Sequence, residues 1–139
     1  MQKDKTVFEK IIDGEIPSTK IYEDEYTYAF LDISPNTRGH TLVVPKKAYS
    51  DLSNLPENEI ENFFGTVKKI TNAMKEGIPC DGVNVVINNG AAAGQVVFHL
   101  HAHLIPRQTD DRGYFGKKYI YSDGDAELVA KKISNKIES

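Results

Sequence analysis

In Phe98-His99-Leu100-His101-Ala102-His103-Leu104, three of the chain's four histidines stand at alternate positions. Alternate side chains of an extended strand share a face. The spacing therefore predicts His99, His101 and His103 on one face, with Phe98, Leu100, Ala102 and Leu104 packed into the core on the other. Imidazole has an unperturbed pKa of about 6.5 and serves near neutral pH as nucleophile, base or acid. Breaking a bond at phosphorus needs an in-line nucleophile, donors around the equatorial oxygens and a proton for the leaving group. A row of imidazoles on a rigid support can supply all of these. The preceding loop, Asn88-Asn89-Gly90-Ala91-Ala92-Ala93-Gly94, carries no bulky side chain. Its backbone N–H groups, with those of Gln95 and Val96, are expected to form a cradle for an anion.

Two other readings fit the same residues. Alternate Cα atoms of a strand lie about 6.6 Å apart and the outer pair about 13 Å apart. Two neighbouring histidines could thus share a zinc with bonds near ~2.0 Å, whereas all three could not without bending the strand. No His-Glu-x-x-His or Cys-x-x-Cys pattern adds further ligands. The plainest reading is a surface strand that happens to be rich in histidine.

The rest of the chain supplies the elements that must hold this row. Thr6 and Glu9 have capping-box spacing ahead of a short helix, Thr6 to Asp13, with Phe8, Ile11 and Ile12 on its apolar face. Gly14 and Pro17 end it. Strands are predicted at Lys20 to Glu23 and Tyr26 to Leu31, joined as a hairpin through Asp24-Glu25. The loop formers Ser34, Pro35, Asn36 and Gly39 then separate a third strand, His40 to Val44. Ile60, Phe63, Phe64, Val67, Ile70 and Met74 recur at helical spacing, which predicts the main helix over Pro56 to Glu76. A fourth strand is expected at Val83 to Ile87 and a fifth at Val97 to Pro106. The stretch Gln108 to Gly124 is polar and tyrosine-rich without clear period, and Asp125 to Ile137 reads as a terminal helix. The sum is an α+β domain, an antiparallel meander with helices packed on one face.

Bulk properties narrow the function. A chain of 139 residues suits one domain. A net charge of -3 gives no general affinity for nucleic acid. Cys80 is the sole cysteine, which excludes an intrachain disulfide and a cysteine-built zinc site. The first residues lack the continuous apolar stretch of a secretory signal, and no apolar run is long enough to span a membrane. A cytoplasmic location is expected.

The residues resemble the histidine-triad family, in its Hint-like nucleotide-binding branch, whose signature alternates histidine with apolar residues. It stands here as His99-Leu100-His101-Ala102-His103-Leu104-Ile105. Phe8-Glu9-Lys10-Ile11-Ile12, Glu15-Ile16-Pro17, Asp32-Ile33-Ser34-Pro35, His40-Thr41-Leu42-Val43-Val44-Pro45-Lys46-Lys47 and Gly94-Gln95 match further blocks in order. The likeness covers about residues 6 to 107, leaving 108–139 as a C-terminal extension of a single domain.

The resemblance implies a five-stranded antiparallel sheet with a long central helix and short terminal helices, in a homodimer. It implies hydrolysis at the α-phosphate of an AMP-type purine nucleotide, adenosine 5′-monophosphoramidase-like, through a covalent nucleotidyl-histidine. His101 would be the nucleophile and His103 the proton donor. His99 would orient His101 through its backbone carbonyl, with His40 in support. Asp32 would accept the ribose hydroxyls. Val7, Phe8, Ile11, Ile16, Phe30, Ile33 and Leu42 would wall the purine, and Asn88 with the backbone of Gln95 and Val96 would hold phosphate. No metal or other cofactor is required. Alternatives are a Fhit-like dinucleoside polyphosphate hydrolase and a nucleotide-binding regulator without important catalysis. Two departures stand out. Val96 occupies a position where animal Hint-like proteins carry serine, and the chain lacks the tail tryptophan of that branch.

Overall fold

The computed structural model describes residues 4–111 and 118–137. The unassigned tyrosine-rich stretch therefore falls partly, at 112–117, outside the described residues. The elements run α1 (Val7–Ile12), β1 (Lys20–Glu23), β2 (Thr27–Leu31), β3 (Thr41–Pro45), α2 (Glu57–Gly77), β4 (Gly82–Val86), β5 (Ala102–Arg107) and α3 (Asp125–Ser134). The capping box forms at α1: Thr6 Oγ1 accepts the Glu9 N–H, and the Glu9 carboxylate accepts the Thr6 N–H.

The strands form one antiparallel sheet in the order β1-β2-β3-β5-β4. β2 and β3 are buried at every position, because both faces of the sheet are covered there. On one face α2 and α3 pack through Phe63, Val67, Ile70, Met74, Val129 and Ile133 against Ala29, Leu31, Val43, Ala102 and Leu104. On the other, α1 sets Phe8 and Ile11 against Tyr28, Phe30, Leu42 and Val44. The expectation of helices on a single face is thus corrected. A six-residue helix looks negligible beside α2 in sequence, yet it closes the opposite face. β4 is an edge strand with no buried position. Among the described residues, no helix is long and apolar enough to cross a membrane.

The histidine segment differs from the expected strand. Pairing of β5 with β3 begins at Ala102↔Val43, so His99 and His101 precede the strand and His103 alone lies in it. The reason sits on the neighbour. β3 ends at Pro45, which has no N–H for a longer ladder. Instead the Pro45 carbonyl accepts from the His99 ring, and Leu100 N–H donates to the Tyr49 carbonyl. The alternation itself survives. Leu100, Ala102 and Leu104 enter the core under α2, and the histidines face α1. Phe98 is the exception: it is 52% exposed instead of packed inside, because the chain bends at residues 97–99 before pairing starts.

Candidate active site

The three histidines are held by different bonds, and those bonds fix where each proton sits. His99 is fully buried, with both ring nitrogens engaged: Nε2 lies 2.7 Å from the Pro45 carbonyl and Nδ1 2.7 Å from Thr6 Oγ1. A carbonyl only accepts, so Nε2 carries the proton and Nδ1 accepts from the Thr6 hydroxyl. That hydroxyl also caps α1, so the first turn of the helix and the first histidine share one group. The His99 carbonyl in turn accepts from His101 Nδ1 at 2.8 Å. His101 therefore presents an unprotonated Nε2. Phe8 packs edge-on against both rings, with centroids 5.5 Å from His99 and 5.0 Å from His101.

His103 is wired the opposite way. Asn36 N–H donates to His40 Nδ1 at 3.0 Å, which leaves the proton of neutral His40 on Nε2. His40 Nε2 lies 3.0 Å from His103 Nδ1 and donates to it. The proton of His103 is therefore on Nε2. The rings of His101 and His103 are 5.0 Å apart. One offers a lone pair and the other an N–H.

Burial holds all four imidazoles neutral. It lowers the pKa of His99 and of His101, in each case against a carbonyl that pulls the other way. It also lowers His40, opposed by Asp32. His103 drops to about 4, through burial first and then repulsion from His101 and His40.

Asp32 begins the loop between β2 and β3. One carboxylate oxygen accepts the Ser34 N–H, and the other lies 3.5 Å from His40 Nε2 and 3.9 Å from His103 Nδ1. Asp32, His40 and His103 thus bring three potential metal-binding atoms together, a different set from the neighbouring triad histidines. Their surroundings oppose a metal. A metal on His40 Nε2 would need the ring proton on Nδ1, where it would meet the Asn36 N–H head-on. Metal-bound histidines instead give that second proton to an acceptor.

The remaining expected residues divide. Phe8, Ile11, Phe30 and Leu42 form the buried floor beneath α1, with Ile16 at its margin. Val7 is exposed, and Ile33 is 83% exposed at a cavity of about 360 Å³ that Asp32 also lines. The small-residue loop offers fewer free N–H groups than the expected cradle. Gly90, Ala93, Gly94 and Gln95 all turn their N–H groups inward onto acceptors of the loop itself. Gln95 is a buried brace whose amide reaches Ser50 and Val97 carbonyls. Among the described residues, the Val96 N–H and the Asn88 amide have no partner. Asn88 sits beside Gly94, whose left-handed φ of 95° allows the tight return of the chain. Sequence reasoning missed Thr6 as a partner of His99 and Asn36 as a partner of His40. The first carried a signal, the capping box; the second is a backbone contact that no residue type encodes.

Comparison with known proteins places this architecture in a class. Residues 13–110 match the HIT domain. The chain is 51% identical over 105 residues to an uncharacterized HIT-like protein of Methanocaldococcus jannaschii, covering 76% of this chain and 81% of that one. It is 43% identical over 114 residues to adenosine 5′-monophosphoramidase HNT1 of Candida albicans, covering 77% and 73%. It is 44% identical over 105 residues to adenylylsulfatase HINT3 of Arabidopsis thaliana, covering 76% and 53%. A Hit-like protein involved in cell-cycle regulation from Bartonella henselae superposes with a TM-score of 0.84 at 37% identity, covering 99% and 100%. The histidine triad nucleotide-binding protein of Candida albicans gives 0.70 at 38%, covering 85% and 82%. The chain belongs to the HIT domain family. Its relatives named as hydrolases act on AMP-type compounds, and hydrolase activity is the general assignment that follows.

Proposed function

We propose that the protein hydrolyses AMP-type nucleotides at the α-phosphate, as an adenosine 5′-monophosphoramidase-like enzyme working through a nucleotidyl-His101 intermediate. The observation that carries this reading is the opposed tautomers of His101 and His103, fixed by the His99 carbonyl and by His40. His101 Nε2 attacks phosphorus. The bond to the leaving nitrogen breaks, and that nitrogen takes the Nε2 proton of His103, which enters the step as the imidazolium favoured by the bound phosphate, its Nδ1 proton facing the Asp32 carboxylate at 3.9 Å, and is left neutral. Water then attacks the phosphorus, returns a proton to His103 and releases AMP and His101. A neutral nucleophile suits the step, since an imidazolium has no lone pair to donate.

Asp32 would accept the ribose hydroxyls, with the base over the floor of Phe8, Ile11, Ile16, Phe30 and Leu42 and with Val7 and Ile33 at the mouth. The Val96 N–H and the Asn88 amide would meet phosphate oxygens, while Gln95 acts by bracing the loop. A sulfate leaving group, as the HINT3 name indicates for that relative, asks for the same attack at phosphorus and less help from a proton. We place the enzyme in the cytoplasm, in keeping with a nucleotide substrate, and as a homodimer. The edge strand β4 exposes Val85, close in sequence to the exposed Val96 and Phe98, while Ile60 and Phe64 stand exposed on α2.

Comparing AMP-amide with diadenosine polyphosphates as substrates tests the reading. Faster release of AMP from the amide is expected. Preference for the dinucleotide would move the protein to the Fhit-like reaction, and turnover of neither would leave nucleotide binding without catalysis.

A further inference from the structure

The loop that carries Asp32 at one end and leads into His40 at the other is fastened on two sides. Inside, Asp32 N–H donates to the His40 carbonyl at 2.9 Å, and Thr37 Oγ1 donates to the Pro106 carbonyl at 2.8 Å. Outside, the C-terminal segment grips it at three residues. Tyr119 N–H donates to the Pro35 carbonyl at 2.8 Å. Gly39 N–H donates to the Tyr121 hydroxyl at 2.8 Å. Arg38 donates Nε and Nη2 to the two carboxylate oxygens of Asp125 at 2.8 and 2.9 Å.

The Arg38–Asp125 fork differs from an ordinary surface ion pair. It is two-pronged and only partly exposed, so it fixes an orientation as well as a distance. Each partner shifts the other: Asp125 falls below the usual carboxylate range through Arg38, and Arg38 rises through Asp125. Asp125 opens α3, which the buried Val129, Ala130 and Ile133 lock onto the core. Gly39 is pinned as well. Its φ is 96°, and an added Cβ would lie 2.5 Å from Ile78 Cδ1, so the loop has little freedom to shift there. Tyr121, Ala126 and Glu127 line the same cavity as Asp32 and Ile33. The segment therefore borders the site that it fastens.

We infer that the C-terminal segment 119–125 is a positioning element of the nucleotide site. Through Arg38–Asp125 and Gly39–Tyr121 it sets the place of the Asp32 carboxylate, and with it the recognition of ribose. Arg38, Tyr121 and Asp125 are positioning residues that act through the loop. The inference rests on the reading of Asp32 as the ribose acceptor.

The test is calorimetric binding of AMP and of 2′,3′-dideoxy-AMP to the full chain and its variants. The unmodified protein binds AMP more tightly than the dideoxy nucleotide. Asp125→Asn weakens AMP by about tenfold, the scale of one well-placed hydrogen bond to a charged group, and leaves the dideoxy nucleotide nearly unchanged. Tyr121→Phe, which removes one hydroxyl and preserves the packing, weakens AMP alone by a smaller factor. It carries the test should Asp125→Asn fail to fold. Equal weakening of both nucleotides, or of neither, in a variant of a selective protein overturns the clamp alone. An unmodified protein that binds both nucleotides equally overturns the ribose reading of Asp32, and the clamp with it.

Discussion

His101 and His103 have the same ring and opposed tautomers because their Nδ1 atoms meet opposite partners, a carbonyl in one case and an N–H in the other. Replacing His101 with alanine is expected to cut turnover by at least about a thousandfold, measured as AMP release, with folding intact by circular dichroism. The acid limb of kcat/KM should fall below pH 6.5, because burial lowers the pKa of His101 and keeps its lone pair available to lower pH. The neutral imidazoles also shape stability. His103 moves from 6.5 when unfolded to about 4 when folded, so the unfolded chain binds more protons in that window. Its contribution is complete above pH 6.5 and is lost as pH falls toward 4. Thermal unfolding at stepped pH should therefore show a shallower acid decline in His103→Gln than in the unmodified protein. Val96 is 85% exposed, so Val96→Ser should leave stability unchanged and raise phosphoramidate turnover a few-fold, through a hydroxyl beside the leaving group.

The short helix α1 does more than its length suggests, since Thr6 both caps it and holds the His99 ring. Thr6→Val should cost about 1 kcal/mol in chemical denaturation and lower kcat as well, whereas Thr6→Ser should restore both. The capping box, the spacing of α2 and the hairpin were all readable from residue types, because they depend on contacts within a few positions of one another. The alternation of histidine with Leu100, Ala102 and Leu104 was equally readable, although its support turned out to be only partly a strand. What ended that strand was Pro45 on a neighbour remote in sequence. Likewise, the loop before the triad looked like an anion cradle because its small residues permit one. Whether its N–H groups point outward depends on backbone geometry: Gln95 takes the Gly90 N–H, and the Gly90 and Ala91 carbonyls take those of Ala93, Gly94 and Gln95.

At the level of the whole fold, the five antiparallel strands, the central helix and the order of elements along the chain follow the expected plan; the revisions are α1 on the second face and β5 inserted between β3 and β4, which replaces the expected meander. The family blocks end near residue 107, so they gave no warning that residues 119–125 would fasten the loop of Asp32. That contact joins parts of the chain 87 positions apart. The proposed homodimer would cover the exposed apolar residues on β4 and α2. The protein is expected to sediment as a dimer, and Val85→Lys, which places charge on the edge strand, should shift it toward monomer; an unmodified protein that sediments as a monomer would refute the dimer.

The nucleophile remains the centre of the account. Rapid quenching with AMP-amide labelled in the α-phosphate, followed by peptide mapping, addresses it directly. The label should appear on the peptide containing His101, localise to that residue, and vanish in His101→Ala along with turnover. Full turnover by His101→Ala, or label carried by a different side chain, would contradict the mechanism.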